Sequence, residues 1–115
     1  MAAEGAPDRV AKSLARAIGS AAAAEGLATA PAASATYLVR AYLSSIPSGE
    51  EAIAVYVFDI LDLNANRLFR TSGTVAIAGS DRDPWRGMDA AAADQVARAS
   101  ATAIAAWLSG SVTTG

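Results

Sequence analysis

Cysteine and histidine are both missing from this 115-residue chain. Without cysteine there are no disulfides, thiolate metal sites or Cys nucleophiles, and the redox compartment is left open. Without histidine, Ser-His-Asp triads and most zinc sites are excluded. Any metal would have to be held by carboxylates alone, which suits magnesium or calcium. Charge is scarce too: 17 % of residues are charged and the net charge is -2. That is no electrostatic case for nucleic acid, which requires a basic face. No apolar run approaches the ~20 residues of a membrane span. Met1-Ala2-Ala3-Glu4-Gly5 has neither the charged nor the apolar region of a signal peptide. The start reads as a trimmed chain with an added Met1, so an upstream targeting segment is an expectation.

Hydrophobic residues make up 53 % of the chain, a figure inflated by alanine. Alanine-rich, lysine-poor usage reflects a GC-rich genome more than a function. The length fits one domain able to bury a core without staples.

Residues 53–78 organise the rest. Ile53-Ala54-Val55-Tyr56-Val57-Phe58 is β-branched and aromatic, suited to a pleated, half-buried surface. Asp62-Leu63-Asn64-Ala65-Asn66 reads as a turn, because Asp and Asn hydrogen-bond locally and tolerate left-handed backbone. Leu68-Phe69-Arg70-Thr71 resumes the strand, which makes an antiparallel hairpin. The spacing predicts this strand over 67–78, with Gly73 a bulge or kink, and the preceding strand over 52–61. On that preceding strand Ile53, Val55, Val57, Asp59 and Leu61 share one face, and Ala54, Tyr56, Phe58 and Ile60 the other. Both faces are apolar, so it is the expected central strand.

Upstream, Pro7 and Asp8 open a helix. It carries Val10, Leu14, Ala17, Ile18 and Ala21 as an apolar stripe, and Gly26 stops it near Glu25. Arg9, Lys12 and Arg16 read as a solvated face. Residues 28–34 read as an extended connection around Pro31. A strand follows over 36–44, with Tyr37, Val39, Ala41 and Leu43 alternating with Leu38, Arg40, Tyr42 and Ser44. Residues 46–51 are a turn signal. After the third strand come a polar loop at 79–83 and a short turn at Asp83-Pro84-Trp85. Asp89 is the N-cap of a last helix over 90–108. Val96, Ser100, Ala103 and Trp107, with Ala92, Ala99, Ile104 and Leu108, give it a broad, shallow apolar face, and Gly110 ends it.

The expected fold is α+β, in the order α-β-β-β-α. Two helices pack on one face of a three-stranded, antiparallel-dominated sheet. A short edge strand within residues 1–6, if not disordered, makes it four-stranded and its first unit β-α-β, with parallel strands. Residues 7–110 form the domain and 111–115 a disordered tail.

Candidate chemistry is sparse. Asp62-x-Asn64-x-Asn66 has the opening spacing of a calcium loop, but Arg67 stands where the required Gly belongs and Gly73 where the required Glu belongs. The turn reading is preferred. No nucleophile, base and orienting group can be assembled by spacing, so catalytic and cofactor sites are expected to be none. An uncovered aromatic sheet face implies a partner. The candidate interaction residues are Tyr42, Tyr56, Phe58, Trp85 and Arg86, since aromatic and Arg side chains are common interface anchors. For Trp85 the alternative is burial against the sheet edge.

Several segments together carry a resemblance. They are Gly5-Ala6-Pro7 before the first helix, Tyr37-Leu38-Val39-Arg40-Ala41-Tyr42, and Val55-Tyr56-Val57-Phe58-Asp59-Ile60-Leu61-Asp62. Asn66-Arg67-Leu68-Phe69-Arg70, Gly73, Asp83-Pro84-Trp85 and Ala106-Trp107-Leu108 complete the set. Over nearly its whole length the chain resembles uncharacterised lipoproteins of alphaproteobacteria, chiefly the rhizobial group. It departs from them in having Phe58 for a common Trp, Ala65-Asn66 where Gly is common, and Phe69-Arg70 where His is common. The resemblance implies an exported domain on the periplasmic face of the envelope, lipid-anchored upstream of Met1, and carries no catalytic residues across. The function expected is non-enzymatic binding of another envelope protein. The alternatives are a small-ligand binder with a pocket between helices and sheet, and an intracellular homodimer.

Overall fold

The computed structural model describes residues 2–27 and 36–113. The connection expected at 28–34 lies outside them. The elements run β1 (Ala2–Glu4), α1 (Asp8–Ala24), β2 (Leu38–Ser48), β3 (Glu51–Leu61), β4 (Arg67–Ala78) and α2 (Ala90–Thr113). The strands form one sheet in the order β1-β2-β3-β4. β1 runs parallel to β2, and the other two ladders are antiparallel. The α+β meander is therefore four-stranded, and its first unit is β-α-β.

Several boundaries differ from the sequence reading, each for a local reason. β2 continues through Pro47 to Ser48, and the hairpin closes on Gly49 and Glu50 alone. Gly49 has φ +67°, the positive φ that two-residue hairpin turns need to match strand twist. Gly73 is no bulge: it pairs in register with Tyr56, and the irregularity lies at Ile60/Leu61. A Cβ at residue 73 would run into the Tyr56 ring. Glycine is there because the aromatic ring lies over the neighbouring strand. α2 runs on past Gly110 to Thr113, so the helix takes up part of the tail expected to be disordered.

Both helices bury their stripes on the same sheet face. Val10 and Leu14 of α1 and Ala93 and Val96 of α2 join Ala41, Leu43, Ala54, Tyr56, Phe58, Val75 and Ile77 in one core. Where the helices meet, Ala21 packs with Ala97 and Ala101, small residues that permit close approach. In α2 the buried stripe is Ala93, Val96, Ala97, Ser100, Ala101 and Ile104, while Ala99 is exposed. The Asp89 carboxylate accepts from the Ala92 N–H at 2.9 Å and caps the helix as expected. At its far end the Trp107 ring stacks on Phe69 (5.3 Å between centroids) and meets Tyr37 edge-on (5.7 Å).

Arg9 shares the exposed face with Lys12 and Arg16, but its guanidinium is also engaged within the fold. It donates to the Trp85 carbonyl at 2.8 Å and the Met88 carbonyl at 2.9 Å, tying α1 to the turn before α2. Lys12 and Arg16 are exposed.

Candidate functional site

The face of the sheet away from the helices is laid out in cross-strand rows. The β2–β3–β4 register sets Arg40, Asp59 and Arg70 in one row, then Tyr42, Val57 and Ser72. Ser44, Val55 and Thr74 follow, then Ile46, Ile53 and Ala76. The face is therefore charged at one end and apolar at the other. Ile46 is 57 % exposed and Ile53 40 %.

Asp59 sits at the centre of the charged row and is almost fully covered. Its two oxygens accept from Arg70 Nε (2.6 Å) and Nη2 (2.8 Å), a bidentate pair. The Arg70 hydrogen bonds hold the carboxyl below the usual carboxylate range against the opposing effect of burial, with Arg67 and Arg40 adding positive charge. Arg70 is raised in return. Arg40 is raised as well, first by its hydrogen bond with Tyr42, then by the charges of Glu4 and Asp59. A buried carboxylate on an otherwise open face is thus enclosed by arginines from both neighbouring strands.

The turn that follows is built on Asp62. Its Oδ1 accepts from the N–H groups of Asn64 and Asn66, both at 2.9 Å, and Oδ2 from Asn66 Nδ2 at 3.1 Å. These bonds, led by those from Asn66, hold Asp62 below its ordinary value. Ala65 takes the left-handed conformation, φ 64°. The Asp62 carboxylate, the first ligand that a calcium loop would offer, is engaged by the turn. Among the described residues no group of three or more acidic side chains is placed to hold a metal.

The five candidate contact residues are not brought together. Tyr42 is on the open face, half-buried beside Arg40. Tyr56 and Phe58 point to the helices; Phe58 has no exposure, and the two rings meet edge-on at 6.1 Å. Trp85 is also core, packed with Met88 beneath the helices. Tyr56, Phe58 and Trp85 are therefore withdrawn from any contact surface. Arg86 is exposed, but on the turn whose Trp85 plugs the helix-side core. Sequence reasoning missed Arg40, Ile46, Ile53, Asp59 and Arg70. The available signal was Asp59 on a β-run with Arg70 across a hairpin, which marks one face as wet.

The small-ligand reading expects a pocket between the helices and the sheet. An open depression of about 430 Å³ lies instead between the two helices, lined by Ser20, Glu25, Asp94, Arg98 and Thr102. Four of its polar side chains pair with one another. Thr102 donates to Glu25 at 3.1 Å, and Arg98 pairs with Asp94 at 2.7 Å.

The class the structure defines is an α+β domain with one sheet face covered by helices and the other open. No family model, curated protein or solved structure matches the chain. No helix among the described residues is long and apolar enough to cross a membrane.

Proposed function

We propose that this is a non-enzymatic binding domain of a bacterial envelope lipoprotein, held at the periplasmic face by a lipid anchor upstream. Its open sheet face is the contact surface. The observation that carries the binding reading is the exposed Ile46–Ile53 patch at one end of the sheet face, with the Arg40–Asp59–Arg70 row at the other, on a face that no described element covers. Exposed apolar area rimmed by polar groups marks protein contact sites. The rigid backbone of three paired strands presents it without an ordering cost. The envelope location rests on the sequence resemblance alone.

A photoreactive side chain placed at residue 53 of the full-length protein in its native cells tests the surface. A discrete adduct from residue 53, and none from residue 98 on the far side of the helices, is the expected outcome. Equal labelling from both positions, or none from 53, overturns the reading. Fractionation tests the location. Recovery with membranes, released by detergent but not by salt, is expected; recovery in the cytosol removes the lipoprotein assignment.

A further inference from the structure

The two edges of the sheet are treated differently. At one edge β1 is only three residues long, and the part of β2 beyond it contains Pro47. Short strands and proline are ways of blunting an edge. At the other edge β4 runs for 12 residues, Arg67–Ala78, with no proline and no lysine. Its last carbonyl, at Ala78, accepts from the Gly87 N–H at 2.7 Å. Over residues 67–77 no described backbone group outside the β3 ladder is bonded to the strand. This edge offers an open row of donors and acceptors.

Its charge is polar along the strand. Arg67 and Arg70 lie at its start. Its end lies beside the acidic β2–β3 turn, where Glu51 pairs with Ala78 and the Glu50 carbonyl accepts from the Gly79 N–H. A strand that is basic at one end and acidic at the other complements itself only when antiparallel, which is also what a two-fold axis imposes.

We propose that β4 pairs antiparallel with β4 of a second copy, joining two four-stranded sheets into one continuous sheet of eight. The axis passes near Ser72 and Gly73, the middle of the strand. Arg67 of each copy then lies at the Glu50–Glu51 end of the other. An 11-residue ladder forms on the order of ten backbone hydrogen bonds. Both open faces stay uncovered, so this pairing is independent of the binding role given above.

Sedimentation equilibrium of the full chain from micromolar to millimolar concentration tests it, with amide hydrogen exchange followed at both extremes. The expected mass rises to twice that of the chain, and high salt weakens the association. On concentration, alternate amides within residues 67–77 become protected. Ser72→Lys places like charges across the axis from an exposed position. It should raise the dissociation constant about tenfold or more while leaving the melting temperature of the diluted protein unchanged. A monomer at millimolar concentration overturns the proposal. So does a dimer whose β4 amides exchange as fast as in the monomer, or one that Ser72→Lys does not weaken. A synthetic acidic peptide that protects the same amides while the chain alone does not would assign the edge to a different partner and also overturn it.

Discussion

Replacing Phe58 with alanine separates a core residue from a contact residue at the position where sequence and structure differ most. Phe58 has no solvent exposure and lies at the centre of the helix-side cluster, its ring edge-on to Tyr56. Truncating a buried phenylalanine costs about 3–5 kcal/mol. The edge-to-face contact, about 0.5–1.5 kcal/mol in similar pairs, places the expected loss in the upper part of that range, about 4 kcal/mol. A domain of this length has a stability of roughly 6–17 kcal/mol, so the variant still folds. At about 2.1 cal/mol/K per residue, the unfolding entropy of the chain near its midpoint is roughly 240 cal/mol/K, and the melting temperature falls by about 15 °C. Thermal denaturation followed by circular dichroism gives the number directly. A loss below about 4 °C would refute the burial argument and return Phe58 to the surface. Tyr42→Ala, on the open face, provides the contrast: its loss should be a small fraction of the Phe58→Ala value.

Three further outcomes are expected. Gly73→Ala should lower stability by about 1 kcal/mol: displacing the Tyr56 ring costs about 1–3 kcal/mol, offset in part by about 0.4–1 kcal/mol from a stiffer unfolded chain. Tyr56→Phe in that background should recover part of the loss in a denaturant titration, and no recovery would mean the hydroxyl is not the obstacle. Ser100 is buried in α2 and its hydroxyl has no hydrogen-bond partner among the described residues; Ser100→Ala should therefore stabilise by about 1–2 kcal/mol, and a drop in melting temperature would show that the hydroxyl is satisfied. Asp59 is held below its ordinary pKa by Arg70, so its contribution to stability is complete above the unfolded value, about 3.9, and is lost as pH falls through the lower folded value. Stability should fall more steeply below about pH 4 in the wild type than in Asp59→Asn, and parallel curves for the two proteins would remove Asp59 from the acid limb.

The strand order, the Asp62 turn, the β4 boundaries and the Asp89 cap were all legible, because each rests on chemistry local to a few residues. The orientation of β3 was not. Ile53, Val55 and Val57 are as apolar as Ala54, Tyr56 and Phe58, so alternation alone offers no way to choose the helix side. The choice follows from partners distant in sequence. Asp59 needs Arg70 from across the hairpin, which its own face supplies. The helices need low ground, which Ala41, Ala52 and Ala54 provide. Once β3 turns that way, Tyr56 and Phe58 enter the core and the open face is left to Ile46, Ile53, Arg40 and Arg70. The hydrogen bonds that Arg9 makes from its exposed position were hidden for a similar reason, since their acceptors lie more than seventy residues away.

That long-range tie bears on how the chain is made. α1 leaves the ribosome well before the elements that hold it: the carbonyls that bind Arg9 belong to Trp85 and Met88, and the alanines that receive Ala21 belong to α2. The meander can pair as soon as β4 is out, but its Tyr56–Phe58 side is then covered only by α1 until α2 arrives. The domain closes only once α2 has been made. In that interval it is a natural client for a chaperone that recognises exposed aromatic strands, and a chain stalled or cut before α2 has no stable stopping point.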